Sequence, residues 1–339
     1  VKSTQGKDFK LEKKLGAMIV ATGRAVPPKV LTNAELEKMV DTTDQWIVER
    51  TGMKARRIAD PGVDTSDLAA EAALKALNKA KVTPEEVDLI IVATITTDVG
   101  FPSTACYVQE KIHANHATAF DISAACAGFI YGINIADSLI RTKAYKNVLL
   151  IGAEVLSRIT DYTDRNTCVL FGDGAGAVLL QPSDGKKGVI DTYWKSNGGL
   201  SELLYMPGGG TRYPTTHQTV DEKLHYIKMA GREVFKYAVT AMSDAAVHIL
   251  EQTGLTGDDI DLLIPHQANH RIIKATADRA KIPMEKVYLN IEKYGNTSAA
   301  SIPLALDEAL EEGVLKAGQR CLMVAFGGGF TWGSAIIQF

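Results

Sequence analysis

The sequence predicts an α/β fold made from two copies of one unit, with two sheets sandwiched between helices. Three observations carry that prediction. When the 339-residue chain is slid by 173 positions, residues 72–91 (AALKALNKAKVTPEEVDLII) fall on residues 245–264 (AAVHILEQTGLTGDDIDLLI). Seven of these 20 positions are identical, among them Leu77/Leu250, Asp88/Asp261 and Leu89/Leu262. Without a gap, the same offset places 143–144 on 316–317 and 148–151 on 321–324, so the match runs on for about 75 residues. Third, each half alternates helix-period and strand-like apolar patterns.

Taken in order, residues 66–81 carry Leu68, Ala69, Ala72, Ala73, Ala76 and Leu77 at helical spacing, with Ser66 as the expected N-cap. Residues 87–93 are a near-continuous apolar run, the pattern of a strand buried on both faces. A second strand is expected at 117–122, a helix at 125–141, and strands at 148–153 and 175–180. The segment 185–224 is rich in Gly, Pro and Thr and reads as an excursion between the halves, with a lid or substrate-facing loop in it. The second half then gives a helix at 231–253, a strand at 261–264, a helix at 268–279 and a strand at 287–291. A helix at 297–312 and strands at 321–325 and 334–337 complete it. The resulting division is 18–184 for the first half, 185–224 for the excursion and 225–339 for the second half.

Composition narrows the function classes. The chain is 46% apolar and 23% charged with net charge −3, which excludes collagen, coiled coil and a global basic field for nucleic acid. No apolar run approaches the ~20 residues of a membrane span. Residues 1–17 hold five Lys against Asp8 and Glu12, while the remainder carries −6; this prefix is expected to be a flexible extension outside the fold, without a signal-peptide core. Cys106, Cys126, Cys168 and Cys321 form no CxxC pair and no Cys/His cluster, so no metal site is expected and a reducing, cytoplasmic setting fits.

Chemistry concentrates at the ends of strands. Cys126 lies in DISAACAGF at 121–129, where a strand turns into a helix between small residues. A thiol in the first helical turn faces unpaired N–H groups and the positive dipole end, so a lowered pKa is expected. His266 is the first side chain past the strand in LLIPHQANH at 262–270, and Asn296 lies in YGNTSAAS at 294–301. Ligands of α/β folds bind at such carboxyl ends. Cys126 plus the offset gives 299, so Asn296 is expected as its counterpart after a short indel, with both helix starts meeting at one site. FGDGAGAV at 171–178 leads into a strand rather than out of one, which removes the dinucleotide reading. AFGGGFTWG at 325–333 offers backbone N–H groups to a reacting centre. The order Cys126, His266, Asn296 also occurs in papain-like proteases, but the C-G-[SA]-C-[WY] signature is absent.

These segments, together with DTTDQWI at 41–47 and RTG at 50–52, resemble the thiolase superfamily of condensing enzymes, specifically the β-ketoacyl-acyl-carrier-protein synthase III family. The likeness spans residues 18–339. It implies a five-layered αβαβα fold of two duplicated halves. It also implies a decarboxylative Claisen condensation of a short acyl-CoA with malonyl-acyl-carrier protein, initiating type II fatty-acid synthesis in a cytoplasmic homodimer. No metal or other cofactor is implied, acyl-CoA being a substrate. By this resemblance Cys126 takes the acyl group, Cys126 and Gly328 supply the oxyanion hole, and His266 and Asn296 stabilise the malonyl enolate. Trp46 and Arg165 would sandwich the adenine of CoA, with Thr42 and Arg50 at the same mouth and Asn269 and Phe235 along the tunnel. Phe101 would bound the partner's acyl pocket across the dimer, and Phe326 would lie against Cys126.

Five basic residues flank the His266 segment: Arg232 and Lys236 before it, Arg271, Lys274 and Arg279 after it. In a chain body of charge −6 they suggest a landing site for an acidic carrier protein. Two other functions share the scaffold: a ketosynthase or acyltransferase of secondary metabolism, and a catalytically silent subunit that binds CoA or carrier protein. The intact Cys126, His266 and Asn296 set argues against silence. Acetyl, propionyl and branched primers differ by a few methylenes, each worth ~1–3 kcal/mol in an apolar pocket. Pocket depth near Phe101 and the 198–213 loop is expected to choose among them.

Overall fold

The computed structural model describes residues 16–339. Residues 1–15 of the expected extension lie outside the described residues, but Gly16 and Ala17 belong to the fold. The Gly16 N–H donates to the Val189 carbonyl at 2.8 Å and the Ala17 N–H to the Asp137 carboxylate at 2.6 Å.

The first half contributes strands β1 (Met18–Ala25), β2 (Leu89–Ala93), β3 (Thr118–Ile122), β4 (Val148–Glu154) and β5 (Gly174–Gln181). They form one sheet in the order β1-β5-β4-β2-β3, with β2 parallel to β3 and β4 and the other pairs antiparallel. The second sheet is built from β6 (Gly188–Ser196), β7 (Leu262–Pro265), β8 (Arg320–Gly327) and β9 (Thr331–Gln338), in the order β7-β8-β9-β6. β7 runs parallel to β8, and the other pairs are antiparallel. The 173-residue offset maps Leu89 onto Leu262, the first residues of β2 and β7, and carries β1 into β6 and β4 into β8.

Two boundaries differ from the sequence reading. The second half opens at β6, not at residue 225, because Gly188–Ser196 is a full strand hydrogen-bonded to β9. Only the remainder of the excursion is loop-like; within it, Leu204–Tyr205 pairs with Lys228–Met229. The strand expected at 287–291 shrinks to one bridge, Leu263 with Val287. The N–H groups of Asn290 and Ile291 turn instead to the Gln267 side-chain oxygen, both at 3.1 Å.

The longer helices are α1 (Asp44–Thr51), α2 (Thr65–Ala80), α3 (Thr104–Ile112), α4 (Gly128–Arg141), α5 (Gly231–Thr253), α6 (His270–Ala280) and α7 (Ser301–Glu311). Asp64, not Ser66, stands at the N-cap of α2, its N–H donating to the Asp67 carboxylate at 2.8 Å.

Strand alternation assigns the layers. Ile90, Val92, Leu149 and Ile151 face outward onto α2 and α3, through Leu68, Ala72 and Val108. Their neighbours Leu89, Ile91, Val148 and Leu150 face inward onto the central helices α4 and α7, through Phe129, Ile133, Ile302 and Leu306. The second sheet repeats this. Leu262, Ile264 and Met323 join the same central core, while Leu263, Leu322 and Val324 pack on α5 and α6. The stack is helices, sheet, central helices, sheet, helices. Both α4 and α7 start in the middle of the molecule, where the two halves meet.

Candidate active site

The meeting point is closely packed. A Cβ placed on Gly152 of β4 would lie 2.2 Å from the Ala299 carbonyl oxygen, and one on Gly327 of β8 would lie 2.5 Å from the Cys126 nitrogen. Only a residue without a side chain lets these backbones approach.

Cys126 sits in a single 3-10 turn, Ala125–Ala127, that feeds directly into α4. Ala125 before it has φ +45°, a left-handed conformation that is uncommon for a residue bearing a Cβ. The second half repeats the device. A 3-10 turn at Ser298–Ala300 feeds α7, and Ser298 has φ +49°. The offset therefore holds without an indel, pairing Cys126 with Ala299, Ala125 with Ser298 and Ser123 with Asn296. This corrects the expected match of Cys126 with Asn296.

Cys126 is shared by two cavities. One, about 310 Å³, is lined by Ile95, Leu156, Ile159, Leu204, Met206 and Ile227, with Ser298, Gly328 and Thr331 near the thiol. The other, about 120 Å³, is lined by His266, Asn296, Asn269, Phe235 and Phe326. The structure thus brings Cys126, His266 and Asn296 to one space. It puts Gly328 beside Cys126 and Phe235 and Asn269 along the approach. Phe326 lines the smaller cavity together with Cys126 and His266, its ring 4.7 Å from that of Phe330. Phe101 is 89% exposed and lines neither cavity. A surface cleft of about 910 Å³ bordered by Asp88, His116, Arg141 and Lys143 contains none of these residues.

The hydrogen bonds orient both polar side chains. The Asn296 Oδ1 accepts from the Ser298 N–H at 2.9 Å, which leaves Nδ2 as the donor end. His266 Nδ1 lies 2.7 Å from Ser301 Oγ. The Gln267 N–H donates to that same Oγ at 3.4 Å, so the Ser301 proton is free to point at Nδ1. The imidazole then carries its proton on Nε2. Burial pushes the His266 pKa down to about 3, so the ring is neutral. Two neutral N–H donors therefore converge where negative charge could develop, in a site largely closed to water.

The thiol does not behave as the helix-end argument expects. Burial pushes Cys126 up to about 12; a contribution from the Ser298 hydroxyl lowers it and the charge of Glu154 raises it further. Cys126 rests as the thiol, with burial the largest influence on it. Cys168 and Cys321 are likewise raised, chiefly by burial, the first to about 11.

At the mouth, Arg165 stacks on Trp46 with its guanidinium carbon 4.7 Å from the ring centre, and donates to the Asp41 carbonyl at 2.8 Å. A flat ring between them needs about 7 Å, two contact distances, so the pair must part to admit one. The hydroxyl of Thr42 is buried without a hydrogen-bond partner. Asn269 ties the mouth to the tunnel, donating to the Arg50 carbonyl at 2.8 Å while capping α6 through the Arg271 N–H. Among the basic residues, Arg271 lies over the Phe235 ring at 5.0 Å, which sets it beside the α5 helix of Arg232 and Lys236. Lys274 pairs with Asp278, and Arg279 is two helical turns further along.

Sequence reasoning passed over Glu154, Ser298 and the pocket residues Leu156, Ile159, Leu204 and Ile227. Glu154 did carry a signal, as an acidic residue ending an apolar strand.

Comparisons with known proteins agree with this geometry. The family model described as 3-Oxoacyl-[acyl-carrier-protein (ACP)] synthase III matches residues 120–198, and its C-terminal companion matches residues 250–339. A beta-ketoacyl-[acyl-carrier-protein] synthase III of Caldanaerobacter subterraneus subsp. tengcongensis is 55% identical, over 96% of this chain and 98% of its own length. One from Natranaerobius thermophilus is 52% identical, over 95% and 99%. The crystal structure of 3-oxoacyl-[acyl-carrier-protein] synthase III from Aquifex aeolicus VF5 superposes with a TM-score of 0.89 at 50% identity, covering 96% of this chain and all of that one. With the family models matched, identities of 50% or more and the same fold over nearly the whole length, the chain belongs to the β-ketoacyl-acyl-carrier-protein synthase III family of condensing enzymes.

Proposed function

We propose that this protein condenses a short acyl-CoA primer with malonyl-acyl-carrier protein, releasing CO₂ and forming a β-ketoacyl-acyl-carrier protein, the step that initiates type II fatty-acid synthesis. The observation that carries the reading is the position of Cys126 on the wall between an apolar cavity and a cavity with two N–H donors. The Cys126 sulfur attacks the acyl-CoA thioester, with the N–H groups of Cys126 and Gly328 holding the oxyanion. CoA leaves, and the acyl chain rests in the 310 Å³ cavity. Malonyl-acyl-carrier protein then enters past Phe235 and Asn269. His266 Nε2 and Asn296 Nδ2 donate to the malonyl thioester oxygen as CO₂ departs, and the enolate carbon attacks the acyl-Cys126 carbonyl. A neutral His266 suits a hydrogen-bond donor that undergoes no protonation cycle. No electrons are exchanged with the protein, and the chemistry uses side chains and the two substrates alone.

Trp46, Arg165, Thr42 and Arg50 form the adenine and phosphate end of the CoA path, with Arg165 swinging off Trp46 on binding. Arg232, Lys236 and Arg271 are exposed and form no ion pair among the described residues, which supports carrier-protein docking there. Lys274, neutralised by Asp278, and the remote Arg279 contribute less. The open edge of β3 and the exposed Phe101 and Val99 support a homodimer in which Phe101 reaches the partner's pocket. Four unpaired thiols suit the reducing cytoplasm. Among the described residues no helix is long and apolar enough to cross a membrane.

Intact-protein mass after mixing with acetyl-CoA tests the reading. An acetyl-sized adduct is expected on the unaltered protein, absent in Cys126→Ala and discharged by malonyl-acyl-carrier protein. An adduct that persists in Cys126→Ala, or none with any acyl-CoA, contradicts it.

A further inference from the structure

The reaction above leaves one problem open: Cys126 rests as a buried thiol and His266 serves as a donor, so the thiol proton needs somewhere to go. Glu154 ends β4 and is fully buried. Side chains two apart on a strand share a face. Glu154 therefore points the way Gly152 does, toward the Ser298–Ala300 turn, where Gly152 meets the Ala299 carbonyl. Its carboxylate accepts from the hydroxyls of Thr96 at 2.6 Å and Thr94 at 3.1 Å and from the Ile95 N–H at 3.2 Å. The Val155 N–H fixes the Thr96 hydroxyl at 2.9 Å. Among the described residues no Lys or Arg pairs with Glu154, unlike the buried Asp307, which holds Arg24 and Lys79.

Ser298 shares the larger cavity with the thiol. Its hydroxyl is buried, belongs to the cavity lined by Cys126, and has no hydrogen-bond partner in the resting site. An unsatisfied buried hydroxyl is unfavourable and calls for an explanation. The Ser298 turn packs against both β4, which ends in Glu154, and the Cys126 turn, and the hydroxyl favours the ionised form of each group.

We propose that Ser298 and Glu154 form a proton relay for the acylation of Cys126. The thiol proton passes to Ser298 Oγ while the Ser298 hydroxyl proton passes to the Glu154 carboxylate. The sulfur lone pair forms the bond to the acyl carbon, and the carbon–sulfur bond to CoA breaks. The proton returns by the same route to the departing CoA sulfur, leaving Glu154 ionised again. The negative charge moves from Glu154 to sulfur and on to CoA, so the site never carries two adjacent anions. Burial pushes Glu154 up to about 7, into the range where a proton acceptor works well near neutral pH. The groups facing it are Thr94, Thr96, Ser298, Cys126 and the Ile95 N–H. In the relay Ser298 exchanges the proton with the sulfur, and Glu154 acts through it.

The inference rests on Cys126 being the acylated residue, and the test separates the two. Single-turnover acylation by acetyl-CoA is followed by mass in Ser298→Ala, Glu154→Gln and the double variant, alongside CO₂ release from malonyl-acyl-carrier protein. Ala125 shows that Ala accepts the backbone conformation of Ser298, so Ser298→Ala should fold even if Glu154→Gln does not. Acylation should slow about a hundredfold in each single variant, with no further loss in the double, while decarboxylation stays at the unaltered rate. In the unaltered protein acylation should rise with pH through the Glu154 titration, and Glu154→Gln should lose that limb. Unchanged acylation in Ser298→Ala, equal losses in both half-reactions, or a loss in Ser298→Ala with none in a folded Glu154→Gln overturns the relay. If no Cys126 adduct forms even in the unaltered protein, the parent reading falls and the relay with it.

Discussion

Ala125 and Ser298 stand 173 residues apart, in corresponding turns, with φ of +45° and +49°. Each turn leads into a central helix, and each follows a strand or loop that ends at the middle of the molecule. The first half places Cys126 next, facing two cavities; the second places Ala299 there, buried against Gly128. Duplication thus supplied two equal strained turns, and the halves diverged in what they display. The first half holds Cys126 and the acidic Glu154. The second holds His266, Asn296 and the unpartnered Ser298 hydroxyl, which reaches back toward the first. The asymmetry lies in side chains and cavities, not in backbone design.

The largest expected effect comes from trying to exchange the roles. Cys126→Ala combined with Ala299→Cys should show no acyl adduct by intact mass, because position 299 opens onto no cavity. Recovery of the adduct would break the comparison. Next comes the seam. Gly152→Val drives carbon into the Ala299 carbonyl, and overpacking of this kind costs about 3 kcal/mol, read as a lowered midpoint in urea unfolding. A neutral result would mean the halves are less tightly joined than the structure shows. The basic residues proposed for docking all belong to the second half. Lys236→Glu with Arg271→Glu should raise KM for malonyl-acyl-carrier protein about tenfold while sparing acylation by acetyl-CoA. Equal loss in both half-reactions would remove docking from that half.

A further contrast concerns pH. His266 in the second half falls from 6.5 to about 3 on folding, so the unfolded chain binds more protons between those values. Its contribution to stability is present above 6.5 and is lost as pH falls toward 3. Glu154 in the first half moves oppositely, from 4.5 to about 7, so the folded state binds more protons and stability declines as pH rises through that window. Thermal midpoints against pH should therefore show a shallower acid limb in His266→Gln. Glu154→Gln should gain on the unaltered protein as pH rises from 4.5 to 7. Parallel profiles would contradict the opposed burial of the two groups.

Much of this was legible in residues 72–91 and 245–264, since a fixed offset transfers β1, β2 and β4 of one half to β6, β7 and β8 of the other. Cys126, His266 and Asn296 could be picked because each follows an apolar, strand-like run in the sequence. What sequence could not supply was burial. The helix-end argument for Cys126 considered the dipole and not desolvation, which decides the sign of the shift. β6 was hidden by the polar residues of GVIDTYWKS, a strand whose far end is exposed. Residues 287–291 look like a strand, yet Gln267 captures the N–H groups that a ladder would use. Ser298 was in plain view within YGNTSAAS, but nothing in one dimension shows that Glu154 lies behind it.

The central claim is that the halves divide the chemistry, with acylation assigned to the first and decarboxylation to the second. Measuring both half-reactions in Cys126→Ala and His266→Ala tests it directly. Cys126→Ala should take no acyl group yet still release CO₂ from malonyl-acyl-carrier protein. His266→Ala should acylate Cys126 while decarboxylation falls about a hundredfold or more. If His266→Ala loses acylation as completely as decarboxylation, the division of labour between the halves is contradicted.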